Sequence, residues 1–268
     1  SKDKRYHIHP EMINVTIPPQ SSDTQRLKVT SSSGSKMDFS KLSTIKFDLN
    51  GAYKYDTTHY ALPAKKDLLL SWKYILPEIK NAKKESEENF KSGDTTGFIS
   101  IRQPEYLENH WYWSGPADGM IQFKFYHDKK YVYLNVFIHD DQLVNLKNKG
   151  DRLNIFFEDK TGNPMVVTID PFDKIKNISA IGKDNLSAKN WQLKNEVVGD
   201  HLIKIRLQIP KNDIARSDRS FRFNIGYYDL DTQPESHYSI IFWKPRWGTK
   251  SDYKNSGTFI LDDDESNL

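Results

Sequence analysis

The sequence predicts a mainly β fold, an antiparallel sandwich or barrel, and three observations carry this prediction. Apolar and polar side chains alternate with period two along most segments after residue 97, which is typical of strands with one buried face. These segments are short and end at turn residues. Helical periodicity is nearly absent, and many strands with little helix favour an antiparallel architecture.

The clearest hairpin lies between residues 119 and 139, with its turn at residues 127–130. We expect Tyr133, Asn135 and Phe137 to lie on the unburied face of its second strand, because they alternate with aliphatic residues. Further strands are predicted from the same alternation. The predicted strands are 98–102, 120–126, 131–139, 152–158, 164–170, 201–209, 221–229, 238–243 and 257–261.

Three segments are predicted along the chain. Residues 1–97 form an N-terminal extension or the remnant of a preceding domain, with a strand over Thr44–Leu49 closed by Asn50-Gly51. One short helix is expected near residues 77–91, with Pro77 in its first turn and Gly93 as its stop. Residues 98–262 form the β-sandwich, and 263–268 an acidic tail.

Composition narrows the function. The 268 residues carry a net charge of only +3, so the sequence does not show the positive charge that is typical of nucleic-acid-binding proteins. Cysteine is absent, so disulfides, thiolate metal sites and thiol catalysis are excluded. No apolar run approaches the roughly 20 residues of a membrane-spanning helix. Because the chain begins with Ser1, we expect a mature or trimmed segment from which any signal peptide has been removed.

Carboxylates stand at the ends of several predicted strands. Asp140 and Asp141 end one strand, and Asp151 opens the next. With Asp229 and Asp231 they offer the oxygen ligands that calcium prefers, so a structural calcium ion is one prediction. The alternative is that they are solvated, or bonded to nearby backbone amides as turn carboxylates commonly are.

Tryptophan-rich loops are the candidates for ligand contact. An indole ring can stack on the C–H face of a sugar, while neighbouring polar groups bond its hydroxyls. If Ile240 and Phe242 face the core, Trp243 faces outward, and Trp191 in a polar loop is a weaker candidate. The alternative for each is a ring that closes the sandwich or pairs with a surface cation. The candidate ligand-binding residues are Trp111, Trp113, Trp243, Arg246 and Trp247.

The order of motifs also resembles a known group of proteins. A strand ending in Asp-Asp (YLNVFIHDD) precedes a Gly-Asp that opens an aromatic strand (GDRLNIFFED). An amphipathic strand closed by proline (HLIKIRLQIP) follows, and then come FRFNIGYYDLD, IIFWKPRW and SGTFIL. From Phe98 to Leu261 this succession resembles the family-9 carbohydrate-binding modules and their relatives in the wider DOMON-like group.

The resemblance implies a jelly-roll-like β-sandwich that binds a poly- or oligosaccharide without catalytic residues of its own. Such modules are usually appended to secreted polysaccharide-degrading enzymes, so the resemblance also implies export and other domains of a parent protein. In the family, tryptophans clamp a sugar ring and acidic residues hold structural calcium. Asp140, Asp141 and Asp151 match the acidic positions, and Trp243 and Trp247 lie where the family carries a ligand-facing aromatic.

One position departs from the family pattern, and other functions stay open. The family commonly has Glu three residues after the Asp of its Gly-Asp motif, where this chain has Asn154. The residues alone also allow a catalytic part of a glycan-active enzyme, since two acids about 5–9 Å apart suffice for glycoside hydrolysis. A haem-binding domain of the same broad group would use axial Met or His ligands, for which Met120 and Met165 offer atoms. A structural docking module is the last alternative.

Overall fold

The computed structural model describes the greater part of the chain, and everything below concerns those residues. They are 6–9, 18, 28–31, 44–55, 57–69, 73–102, 104, 107–109, 113–146, 150–158, 160–172, 176–180, 190–231, 238–243 and 257–262. The chain divides into two compact units, Ser1–Leu70 and Ser71–Leu268. Within the described ranges, no helix is long and apolar enough to cross a bilayer.

The first unit contains two antiparallel hairpins. The predicted turn at Asn50-Gly51 is wrong, because these residues pair with Pro63 and Leu62 inside a longer hairpin. Each strand of that hairpin is 12 residues long, and the chain reverses only after Tyr55. The strands are β1 (Tyr6–His9), β2 (Lys28–Ser31), β3 (Thr44–Tyr55) and β4 (Thr58–Leu69).

The second unit is a sandwich of two sheets. Its elements are β5 (Lys73–Pro77), α1 (Ala82–Ser92), β6 (Ile99–Ile101), β7 (Leu107–Asn109), β8 (Gly119–His127), β9 (Tyr131–Asp140), β10 (Arg152–Glu158), β11 (Pro164–Ile169), β12 (Lys176–Ala180), β13 (Gln192–Val198), β14 (Leu202–Pro210), α2 (Lys211–Ile214), β15 (Ser220–Asp229), β16 (Ser239–Phe242) and β17 (Gly257–Asp262). The smaller sheet has the order β13-β14-β9-β8-β6. The larger sheet has the order β12-β11-β10-β15-β16-β7, and β17 pairs with both β15 and β5.

The core forms between the inner faces of the two sheets, where the alternating apolar residues of the sequence meet. The alternating apolar side chains of β8, β9 and β14 are all buried, so the predicted inward face of each strand is confirmed. They are Ile121, Phe123, Phe125, Val132, Leu134, Val136, Ile138, Ile203, Ile205, Leu207 and Ile209. Aromatic rings dominate the opposite wall, and edge-to-face and tilted contacts hold them together. The fully buried rings of the core are Phe123, Phe157, Phe221, Phe223, Tyr227, Trp243 and Phe259.

Helix α1 covers the second face of the smaller sheet, and this corrects the expectation that this face is unburied. Tyr133, Asn135 and Phe137 are each at most 1% exposed. Asn135 receives a hydrogen bond of 2.9 Å from the Ser86 hydroxyl and donates one to the Ser86 carbonyl. Arg206 donates to the same hydroxyl at 2.9 Å, so polar groups join helix and sheet where apolar packing is expected.

The helix begins later than Pro77. Residues 73–77 form β5 and pair in parallel with β17, so Pro77 ends a strand and the helix starts at Ala82. Gly93 is the predicted stop, with φ +74°, a left-handed conformation that glycine adopts at little cost. Because β5 and α1 belong to the second unit, the sequence-based boundary at residue 98 falls inside that unit.

Candidate functional site

Six aspartates converge at one end of the sandwich, where the two sheets meet. Each stands at or just beyond a strand end, because β8 and β10 begin at this end whereas β9 and β15 finish there. Residues that are far apart in sequence are thus brought together. This acidic cluster consists of Asp118, Asp140, Asp141, Asp151, Asp229 and Asp231.

Two members of the acidic cluster are oriented by hydrogen bonds from neighbouring strands and loops. Asp151 is 2% exposed and each of its oxygens accepts a backbone amide. Asp140 is 1% exposed and accepts a hydrogen bond from the Tyr227 hydroxyl of the larger sheet, which connects the two sheets. The donors are the Val144 and Leu230 amides to Asp151, and the Gln142 amide and Tyr227 hydroxyl to Asp140.

Asp229 differs from these two. It is fully buried, yet neither carboxylate oxygen has a hydrogen-bond partner among the described residues. Asp231 Oδ1 is likewise buried and without a described partner. Buried polar atoms in folded proteins are nearly always paired, so these oxygens require an explanation such as a bound ion.

Burial and mutual repulsion make these carboxyls weak acids when no cation is present. Burial, followed by repulsion from Asp140 and other cluster members, raises the pKa of Asp229 to about 10. Burial also raises the pKa of Asp151 to about 8 and of Asp231 to about 7. The pKa of Asp140 is raised by the same cause. A divalent cation at the centre would reverse this effect, because the opposite charge favours the ionised carboxylates.

The geometry of the acidic cluster suits a calcium ion. Three sets of three aspartates each place one oxygen apiece within 4.8 Å of the others. Calcium binds oxygens at about 2.3–2.6 Å, so two ligands on opposite sides of one ion are about 5 Å apart. The sets are Asp118-Asp229-Asp231, Asp140-Asp141-Asp231 and Asp140-Asp151-Asp229. Sequence reasoning omitted Asp118, which directly precedes β8.

The same cluster is poorly placed for glycoside hydrolysis. A general acid must reach the glycosidic oxygen within hydrogen-bond distance. Asp140, Asp151 and Asp229 are at most 2% exposed, so their oxygens face one another instead of a substrate. An open depression walled by Pro116, Ala117 and Met120 lies beside Asp140 and Asp141, so solvent reaches the cluster from that side.

Trp113, a predicted stacking residue, lies beside the acidic cluster. Its indole nitrogen donates a hydrogen bond of 2.9 Å to the carbonyl of Gly119, and its side chain is half-buried. A Cβ on Gly119 would lie 3.1 Å from an Asp229 oxygen and 3.6 Å from the Trp113 ring, so glycine allows this close approach. The described contacts assign Trp113 to the loop that borders the cluster.

Trp243 does not face outward, and this part of the sequence analysis is wrong. It is 1% exposed and packs against Tyr74, Phe123 and Phe259 in the core. Phe242 and Ile240 lie on the outer side of β16, opposite to the expectation, because Phe242 pairs with Gly226 in the register with β15. A ring enclosed in this way offers no face to a ligand.

Of the remaining ligand-binding candidates, one lies in the core and the others lie outside the described residues. Trp191 is 3% exposed, contacts Phe157 edge-on and donates to an Asp213 carboxylate at 2.7 Å, so it is part of the core. Trp111, Arg246 and Trp247 lie outside the described residues, and their ligand-binding role stays a prediction.

A second set of aromatic residues lies on the outer face of the larger sheet. Phe156 and Phe242 have ring centroids 5.7 Å apart, and Tyr228 meets Phe242 edge-on at 6.0 Å. The ring centroids of Tyr238 and Tyr228 are 6.1 Å apart, so the row of rings spans the width of the three neighbouring strands β10, β15 and β16. We call this set the aromatic face, and it comprises Arg152, Asn154, Phe156, Tyr228, Tyr238 and Phe242.

Polar groups complete the aromatic face. The Arg152 guanidinium lies over Tyr228 and Tyr238, with its carbon 4.5 and 4.8 Å from the two ring centroids. Asn154, in the next outward position of β10, has a buried Oδ1 without a described hydrogen-bond partner. Rings and polar groups that share one surface are the ingredients of a sugar site.

Sequence reasoning missed the aromatic face, although a signal was present. The alternation that places Leu153, Ile155 and Phe157 inside also places Arg152, Asn154 and Phe156 outside. An aromatic residue at an outward strand position needs an explanation that a core residue does not. The tryptophans of the loops are more conspicuous in the sequence than these phenylalanines and tyrosines at outward strand positions.

The fold is similar to that of solved carbohydrate-binding modules. A family 9 carbohydrate-binding module from Caldicellulosiruptor kristjanssonii, in complex with cellotriose, aligns with a TM-score of 0.53 and 11% identity over 74% of this chain and 97% of that chain. A family 9 module from the same organism in complex with glucose aligns with a TM-score of 0.49 and 11% identity, over 74% and 99%. No family model and no curated protein matches the sequence. The likeness confirms the jelly-roll-like β-sandwich predicted from the sequence.

Proposed function

We propose that this chain binds a poly- or oligosaccharide without chemical turnover, and that the sugar lies on the aromatic face. The observation that carries the proposal is the row of rings from Phe156 to Tyr238, with Arg152 and Asn154 among them. Tyrosine and phenylalanine rings would stack on sugar C–H faces, and the guanidinium and amide would bond hydroxyls. The cellotriose bound by the neighbour of known structure supports this ligand class.

The rest of the expected biology belongs to the same proposal. The module would be exported and would act within, or beside, a polysaccharide-degrading protein, where binding holds the catalytic part at its insoluble substrate. A tethered module of this kind raises the effective concentration of enzyme and glycan, which needs no catalytic residue in the module itself. Trp111, Arg246 and Trp247 would add contacts from the loops.

Affinity electrophoresis in gels that contain soluble β-glucans, xylans or pectins tests the proposal. The wild-type chain should be retarded by at least one of these polysaccharides, and Tyr228→Ala should be retarded less. Trp113→Ala serves as the matched aromatic control, because this ring borders the acidic cluster and not the aromatic face. Retention by no glycan would refute the function, and retention lost only in Trp247→Ala would move the site to the loops.

We further propose that the acidic cluster holds one structural calcium ion. Asp229, Asp140 and Asp151 would be its central ligands, with Asp118, Asp141 and Asp231 at its border. The fully buried Asp229 oxygens have no hydrogen-bond partner in the described part of the chain, and this supports the assignment because a cation would satisfy them. Calorimetric titration of calcium into protein treated with chelator tests it. The expected result is one site that Asp229→Asn removes, whereas no heat of binding would refute the proposal.

A further inference from the structure

Arg152 is the cation of the aromatic face, and no described residue supplies a counter-ion for its charge. Building on the proposed carbohydrate binding, we infer that the ligand is an acidic glycan whose uronate carboxylates pair with Arg152. The inference concerns the sugar class only, and neutral glycans are the alternative that the experiment below separates from it.

The position of the guanidinium is defined without any polar partner. Arg152 stacks against Tyr228 at 4.5 Å and Tyr238 at 4.8 Å, and it makes no hydrogen bond or ion pair with any described residue. A guanidinium has five N–H donors in a planar fork. Because the two rings hold its flat faces, the donors along its edge remain available to a ligand on the same surface.

The other arginine on the outer face of the larger sheet is treated differently. Arg222 lies toward the opposite end of the same sheet and pairs with Glu158 at 3.7 Å. Glu158 also pairs with Arg216, so one buried carboxylate serves two cations there. On the smaller sheet, Arg206 has Glu87 at 3.6 Å. Each of these arginines has an acidic partner, whereas the partners of Arg152 within the described part of the chain are aromatic rings.

The neighbours of Arg152 do not neutralise it. Asp170 directly follows Ile169, the register partner of Leu153, so continuing the β10–β11 register places it opposite Arg152. Its Oδ1 accepts the Phe172 amide at 2.9 Å instead, and no ion pair joins it to the guanidinium. Asn154, two residues along on the same face, is a neutral amide.

This combination favours a carboxylate on the ligand. A carboxylate can accept two parallel hydrogen bonds from a guanidinium edge, and such charge-assisted pairs are stronger than bonds to neutral hydroxyls. Glutamate at position 154 would either neutralise Arg152 or repel an anionic sugar, and asparagine does neither. The ring of a uronic acid would still offer its C–H face to Tyr228 or Phe156, as a neutral sugar does.

Matched pairs of glycans test the inference because the two members share one backbone and differ at C6, where only one member carries a charge. Suitable pairs are cello-oligosaccharides with and without oxidation of C6 to the carboxylate, and oligogalacturonates with and without methyl esters. At about neutral pH and low salt, we expect the acidic member of at least one pair to bind roughly tenfold more tightly. That gain should shrink as sodium chloride is raised, because salt screens exposed charge pairs.

Three variants localise the effect. Arg152→Gln should abolish the preference for the acidic member, and Arg152→Lys should retain only part of it, because an ammonium lacks the bidentate fork. Arg222→Gln is the matched control on the same face and should leave the preference unchanged. Thermal unfolding of each variant shows whether a loss of binding reflects a loss of fold.

The outcomes are distinguishable from one another. Neutral members that bind as tightly as acidic members in every pair would overturn the uronate inference and leave carbohydrate binding intact. A preference that survives in Arg152→Gln would overturn it as well. Binding of a sulfated galactan but of no uronate would replace the carboxylate by a sulfate ester. Binding of no glycan at all would overturn both the inference and the proposed function.

Discussion

The two faces of the larger sheet use aromatic rings for different purposes. On the inner face, Phe223, Trp243 and Phe259 are fully buried, and their rings pack against one another in the core. On the outer face, Tyr228 and Phe156 are partly exposed and lie beside a guanidinium and an amide. Strand β15 contributes to both, with Phe223 inward and Tyr228 outward. The residue type is therefore a poor guide to function, and the strand position decides it.

Removing an inner ring should give the largest effect on stability. Trp243→Ala deletes a buried indole surrounded by Tyr74, Phe123 and Phe259. We expect a loss of about 3–5 kcal/mol in the free energy of unfolding, because a cavity remains where the ring was. Urea denaturation monitored by fluorescence or circular dichroism measures it. A loss below about 1 kcal/mol would show that Trp243 is not enclosed.

The inner face also ends in an ionisable residue, Asp229, which should make the free energy of unfolding depend on pH when no cation is bound. The pKa values of Asp229, Asp151 and Asp231 in the fold, about 10, 8 and 7, lie above the ordinary value near 3.8. The folded chain then binds more protons than the unfolded chain, so the free energy of unfolding falls as pH rises from about 4 toward 8. Each such proton contributes about 1.4 kcal/mol per pH unit.

Chemical denaturation in chelator at several pH values measures this dependence. Calcium should flatten the curve at neutral pH, because it binds the ionised carboxylates of the fold. Asp229→Asn should reduce the slope, since burial raises the pKa of Asp229 to about 10, above the values of about 8 and 7 for Asp151 and Asp231. A stability that rises with pH in the presence of chelator would contradict the burial of these carboxyls.

A change on the outer face beneath Phe242 should have an intermediate effect. Gly226 lies under Phe242, and a Cβ at this position would come within 2.3 Å of the Phe242 ring. Gly226→Ala should cost about 1–3 kcal/mol of stability, because the ring must be displaced from the strand. It should also weaken glycan binding, since Phe242 supports Tyr228 and Phe156. Binding and melting measured on one sample check both parts, and an unchanged melting temperature would contradict the close approach.

Removing an outer ring should affect binding more than stability. Tyr228→Ala takes one aromatic from the proposed sugar surface and one of the two rings that hold Arg152. We expect roughly a tenfold loss of affinity, with a stability change of about 1 kcal/mol, because the ring is only partly buried. Isothermal titration and thermal melting separate the two quantities. A large stability loss with unchanged affinity would assign Tyr228 to the core and remove the distinction between the faces.

Much of the fold follows from short-range patterns in the sequence. Strands β8, β9, β10 and β14 carry apolar residues at every second position, so both their positions and their inward faces can be predicted from the sequence. Strand β16 is different, since Ile240, Ile241, Phe242 and Trp243 are all apolar and carry no alternation. Only the pairing of Phe242 with Gly226 decides which side faces the core, and this explains the error at Trp243.

Some residues of the acidic cluster can also be predicted from the sequence, whereas others are placed there only by strand pairing. The sequence identifies Asp140, Asp141 and Asp151 as oxygen ligands at strand ends. Which other carboxylates lie beside them depends on the order of the strands. Asp229 joins them because β15 lies beside β10 and finishes at the same end of the sandwich. Asp118 carries no pattern of its own, and the start of β8 places it there.

By itself, the sequence determined the class of the fold, most strand boundaries and the inward faces of the alternating strands, because these depend on periodicity within a few residues. Only the tertiary structure decided which carboxylates meet, which aromatic rings lie on the outer face, and that α1 buries the second face of β9. These features depend on pairing between residues far apart in the chain. The physical reason is that burial and charge are properties of neighbours in space, and the order of strands in a sheet sets those neighbours.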